Sequence, residues 1–162
     1  MTQAIAAAAR LHPGFELDPG ECQYRQGEKG TQVLCSCNGY DSLAREISQQ
    51  VQGPAMLLYI YDEDFWGYYL YDAGQQMDQF CPMPDYFEEV TPQQAEKMAG
   101  SSEVLSRYFG VHPKAVERYL RTWTDELMKQ GGKAYHKDEF DRCDCWQMVD
   151  FMERLGFSYM FD

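Results

Sequence analysis

Positive charge is scarce in this chain. Lys and Arg number 14 against 26 Asp and Glu, and the formal net charge is −12. That balance removes the field that broad nucleic-acid or anionic-membrane binding needs, and it suits a basic partner. Long apolar runs are missing too: no segment approaches the ~18–20 consecutive apolar residues of a membrane helix. The segment Met1 to Arg10 has no basic region ahead of its alanines, and its apolar stretch ends at Arg10, so no secretory signal is expected. Gly-rich phosphate loops, Walker-type motifs and His-Glu-x-x-His pairs are absent. No internal repeat and no Pro/Gly/Ser linker divides the sequence. The expectation is one domain over residues 1–162, placed in the cytoplasm, where the redox poise keeps its 6 cysteines as thiols.

Apolar and aromatic side chains are abundant. Hydrophobic residues make up 44% and aromatics 15%, with 12 Tyr, 9 Phe and 3 Trp. A chain of this length buries about 70% of its unfolded surface, so it needs neither metal nor disulfide to fold. Residues 1–10 are small and Ala-rich and read as a segment that frays. Residues 18–31 are polar and read as loop.

The patterning predicts an α+β fold, an antiparallel sheet with helices packed on it and a helical C-terminal half. Residues 31–37 read as a strand. Asp41 or Ser42 is placed to cap a helix that carries Leu43, Ala44, Ile47 and Val51 on one face and stops at Gly53-Pro54. Met56 to Tyr61, Phe65 to Tyr71 and Gln76 to Cys81 read as a three-stranded meander over 56–81, joined by Asp62-Glu63-Asp64 and by Asp72-Ala73-Gly74-Gln75. Gly74 is free to take positive φ there. Thr91-Pro92-Gln93-Gln94 is a capping box, and Gly100 closes its helix. Ser101 or Ser102 starts the next. Pro113 opens a longer helix with Val116, Tyr119, Leu120, Trp123 and Leu127 on one face, stopped by Gly131-Gly132. A last helix is predicted from Cys143 to Leu155, followed by an edge strand over Phe157 to Phe161.

Alternation along β-rich Phe65 to Tyr71 puts Phe65, Gly67, Tyr69 and Tyr71 on one face and Trp66, Tyr68 and Leu70 on the other. Both faces are aromatic, so either helices cover both or one stays open. With an open face, Trp66 and Tyr68 would anchor a protein partner while Asp62, Asp64 and Asp85 steer it. The same carboxylates, with Glu63, Asp72 and Asp78, suit a divalent cation or acid–base chemistry, though turns collect Asp simply because they are wet.

Cys35-Ser-Cys37 and Cys143-Asp-Cys145, with His136 upstream of the second pair, offer enough N and S ligands for zinc. The plainer reading is buried thiols, since Cys145 falls on the apolar face of the last helix. Cys143 at a helix N-terminus would have a lowered pKa and, with a His, would be a candidate nucleophile. No cofactor and no metal ligand set is assigned on this pattern.

Residues 105–120, Leu-Ser-Arg-Tyr-Phe-Gly-Val-His-Pro-Lys-Ala-Val-Glu-Arg-Tyr-Leu, resemble the helix-turn-helix of bacterial DNA-binding regulators, with Gly110 in the turn. The resemblance implies a second helix entering the major groove through His112, Lys114, Ala115 and Arg118, with Arg121 adding to the basic face. Asp62 to Gly74, Asp85-Tyr86-Phe87 and Asp144 to Gly156 are similar to small uncharacterised bacterial cytosolic proteins. That likeness transfers no catalytic residue; small acidic proteins of this kind include immunity and antitoxin partners, by analogy only. The leading expectation is therefore a non-enzymatic interaction protein with a partner-binding set of Asp62, Asp64, Trp66, Tyr68 and Asp85. Its alternatives are a DNA-binding regulator using Lys114, Arg118 and Arg121, and a metal-binding protein or metal-dependent enzyme.

Overall fold

Two tight turns set the sheet. Asp62 and Glu63, and then Ala73 and Gly74, take left-handed backbone angles. This is the type I′ pattern, whose twist matches that of the strands it joins. In the computed structural model, which describes residues 2–11, 14, 16–35 and 39–160, β3 (Pro54–Tyr61), β4 (Phe65–Asp72) and β5 (Gln75–Phe80) form an antiparallel sheet in that order. The meander expected from the sequence is present, its ends shifted by a residue or two. A second antiparallel sheet pairs β1 (Gln23–Gln26) with β2 (Thr31–Leu34), with Gln23 opposite Leu34 and Gln26 opposite Thr31. The fold is α+β.

The chain divides by its contacts into two compact units. One holds residues 1–57, 69–77 and 160–162, and the other holds 58–68 and 78–159. In the first, α1 (Thr2–Leu11) packs on α2 (Tyr40–Val51). Ala8 and Leu43 are buried against each other, with Leu17, Cys35 and Ile47 alongside. The Ala-rich start is therefore a docked helix with Ile5 fully buried, and the polar stretch read as loop contains β1. Residue Gly39 precedes α2 with no side-chain cap, and Asp41 lies in the first turn rather than capping it. The buried Ser48 hydroxyl accepts from the Gly74 N–H at 2.7 Å and pins the β4–β5 turn to α2.

The second unit carries α3 (Pro92–Lys97), α4 (Ser102–Phe109), α5 (Asp125–Gln130) and α6 (Gln147–Leu155). The capping box at Thr91 forms as expected, and Gly110 and Gly156 end α4 and α6 in left-handed conformations. The long helix expected from Pro113 does not form. Pro113–Ala115 make a single 3-10 turn, and α-helix resumes only at Asp125. Tertiary partners win over helical periodicity here. Trp123 N–H donates to Pro82 O at 2.9 Å, and the buried Tyr119 O–H donates to Asp138 at 2.8 Å. Thr124 then caps a fresh helix by accepting from Leu127 N–H. The last helix starts at Gln147 rather than Cys143, and residues 157–160 form no strand.

The core of this unit is aromatic. Trp66, Tyr68, Phe80 and Phe151 are at most 1% exposed. Phe151 on α6 stacks on Tyr68 with ring centroids 5.7 Å apart and lies 4.9 Å from Trp66. Tyr68 O–H donates to Asp78 at 2.7 Å, and Ser101 N–H donates to the same carboxylate oxygen at 3.0 Å. Desolvation pushes the Asp78 carboxyl up, and these two donors draw it partly back. Residues 131–146 have no helix or strand, and polar bonds fix them instead. Asp138 accepts from Arg154, Tyr119 and Tyr135 N–H, each at 2.8 Å. Asp150 accepts from Glu139 and Phe140 N–H.

Candidate interaction surface

The burial of Trp66 and Tyr68 overturns their expected role. Both are 0% exposed because α6 covers that face of β4. They belong to the core and cannot touch a partner. Among the described residues, the Trp66 indole N–H is the one buried side-chain donor without a hydrogen bond.

Three exposed aromatics cluster instead at the end of β3 and in the loop after Pro84. Tyr61 closes β3 and is 40% exposed; Tyr86 and Phe87, in the loop after Pro84, are 38% and 67% exposed. The three rings pack edge to face. Centroid separations are 4.8 Å for Tyr61–Phe87, 5.0 Å for Tyr86–Phe87 and 5.7 Å for Tyr61–Tyr86. Phe65, 1% exposed, is the floor: it stacks on Tyr61 at 5.5 Å and meets Tyr86 at 5.1 Å. Aromatic pairs of this kind contribute about 0.5–1.5 kcal/mol beyond area burial, so the cluster is a built feature rather than stray surface rings.

Carboxylates flank these rings along the chain. Asp62, Glu63, Asp64, Asp85, Glu88 and Glu89 are all exposed. No cation among the described residues pairs with any of them. The sequence has no Lys, Arg or His from residue 46 through 96, so no cation stands near them along the chain. Asp64 N–H donates to Tyr61 O at 2.8 Å and closes the hairpin turn. Tyr86 O–H donates to the Asp64 carboxylate, latching the 85–89 loop to the hairpin tip. That hydrogen bond, with desolvation and the Asp64 charge behind it and the Asp62 charge adding least, pushes the Tyr86 hydroxyl up to about 12. Replacing Asp64 by Ala is expected to return Tyr86 toward the ordinary tyrosine value near 10. NMR titration of the Tyr86 ring checks this, and a wild-type Tyr86 titrating at the ordinary value would remove the latch.

Of the five residues expected to bind a partner, the structure therefore brings Asp62, Asp64 and Asp85 to one exposed surface. Trp66 and Tyr68 lie in the core, and the exposed rings near those carboxylates are Tyr61, Tyr86 and Phe87. Two signals in the sequence pointed to these rings: the long gap in positive charge, and the pair Tyr86-Phe87 set between Asp85 and Glu88.

The other candidates fare differently. Lys114, Arg118 and Arg121 are exposed, but no helix carries them. Lys114 sits in the 3-10 turn, and Arg118 lies over the Tyr135 ring, 5.1 Å from its centroid, donating to Ala134 O. The second helix implied by the helix-turn-helix resemblance is not formed. Burial pushes the Cys143 and Cys145 thiols up, and Cys143 lies ahead of α6 with φ 61 rather than at its first turn. Neither is an activated thiol. Cys37 lies outside the described residues. Among those described, no disulfide forms, and no group of three or more His, Cys, Asp and Glu could hold a metal ion.

A polar cleft of about 340 Å³ in the first unit is lined by Asp41, Arg45, Tyr71 and Gln75, among others. Burial pushes the Tyr71 hydroxyl up, with Asp41 adding to it and Arg45 opposing, so this tyrosine is no base at ordinary pH. Among the described residues, no helix is long and apolar enough to cross a membrane. The chain matches no protein-family model, no curated protein and no solved structure.

Proposed function

We propose that this is a non-enzymatic bacterial protein that holds a basic protein partner against the surface formed by residues 61–64 and 85–89. One observation carries the reading: Tyr61, Tyr86 and Phe87 stay exposed, as a packed cluster, within a segment that bears carboxylates and no cation. Exposed aromatics beside unpaired charge are the usual anatomy of a protein-binding site, with rings as anchors and charges guiding encounter. The likeness to immunity and antitoxin proteins remains an analogy. The setting we propose is the cytoplasm, which suits the thiols of Cys22, Cys81, Cys143 and Cys145.

The test uses immobilised peptides that mix Lys and Arg, with acidic peptides of equal length as control. The wild-type protein is expected to prefer the basic set. Phe87→Ala leaves charge unchanged and is expected to cost about 2 kcal/mol, roughly 30-fold in Kd. Asp85→Lys is expected to slow association and flatten the salt dependence. Folded variants that both bind like wild type would sink the reading.

A further inference from the structure

We infer that the partner meets this surface with arginine side chains rather than lysine; the inference rests on the interaction reading above. The geometry of the rings carries it. A caged ammonium needs a gap between aromatic faces. Here the rings of Tyr61, Tyr86 and Phe87 fill that gap themselves, edge to face, with centroids 4.8 to 5.7 Å apart. No cage is left for a compact point charge. What remains is ring surface open to solvent, most of all on Phe87 at 67% exposure, with Asp62 and Asp64 beside Tyr86 and with Asp85 and Glu88 flanking Tyr86-Phe87 in the chain. A flat apolar surface beside carboxylates matches a planar guanidinium, which stacks on a ring while its N–H groups bond a carboxylate bidentately.

The chain makes a related combination inside its own fold, with a single hydrogen bond to the carboxylate in place of the bidentate pair. Arg154 lies over the Tyr135 ring, 5.0 Å from its centroid, and also pairs with Asp138 at 2.8 Å. Lys133, in the same neighbourhood, donates to the carbonyl oxygens of Asp138 and Glu139 and meets no carboxylate there. Both arginines beside the Tyr135 ring, Arg118 and Arg154, lie over it, and Arg154 adds a carboxylate, whereas Lys133 bonds backbone carbonyls.

The experiment is calorimetric titration of the full chain with hexa-arginine and with hexa-lysine, at equal charge and moderate salt. Hexa-arginine is expected to bind about tenfold more tightly. In Phe87→Ala and in Asp85→Asn the two peptides are expected to approach equal affinity. Equal binding of both peptides by the wild type would overturn the arginine inference while leaving a basic partner in place. An arginine preference that persists unchanged in both variants would also overturn it, because its source would lie elsewhere on the chain. If neither peptide binds, the interaction reading falls as well.

Discussion

Gly67→Ala is expected to destabilise the protein by about 3 kcal/mol, at the upper end of overpacking effects. A Cβ at Gly67 would lie 2.5 Å from the Phe80 carbonyl oxygen and 2.5 Å from the Tyr59 hydroxyl oxygen. Real Cβ contacts are not that short, so strand or ring has to move. The ring is the softer obstacle and the β5 backbone the harder one. Gly67→Ala combined with Tyr59→Ala relieves only the first, so it is expected to remain well below Tyr59→Ala alone. Thermal unfolding checks this: 3 kcal/mol corresponds to a fall of roughly 6–12 °C for a chain of this size. A Gly67→Ala protein melting within 2 °C of wild type would show, by the same relation, that the sheet yields at almost no cost.

Asp138→Ala is expected to rank second, at about 2–3 kcal/mol. It removes the acceptor for Tyr119 O–H and Tyr135 N–H and unpairs Arg154. Arg154 keeps 32% of its side chain exposed, so water softens that part of the loss. The buried Tyr119 hydroxyl, 1% exposed as a residue, has no such relief. Asp138→Asn retains one acceptor oxygen but offers Tyr135 N–H an amide donor, and is expected to cost about half as much. Denaturant melts rank the two. Equal stability of wild type and Asp138→Ala would mean that the Asp138 hydrogen bonds add nothing to what already holds residues 131–146.

The legible parts of the fold were those that local chemistry decides. The strands around Leu57, Tyr68 and Met77, the Thr91 box and the glycines at 74, 110 and 156 each carry their own geometric reason. The helix expected from Pro113 was illegible because Tyr119 and Trp123 have helical spacing but serve Asp138 and Pro82, far away in sequence. Thr124-Asp125-Glu126 was the local sign that a new helix begins there. The site was half legible. Turn carboxylates such as Asp62 sit where a turn must be wet. Both aromatic faces of β4 are covered, with only Tyr69 and Asp72 part-exposed, and alternation along a strand rich in rings on both sides carries no information about where the covering elements land. Helix α1 and strand β1 were lost to composition: alanine and polar residues say little about the partner that buries Ile5 or pairs Gln23.

The hairpin tip carries a local cost. Asp62 and Glu63 both stand at left-handed angles that Asn-Gly would fill more easily. Both side chains are exposed and pair with no cation among the described residues, so two carboxylates stand where the backbone alone would select an amide and a glycine.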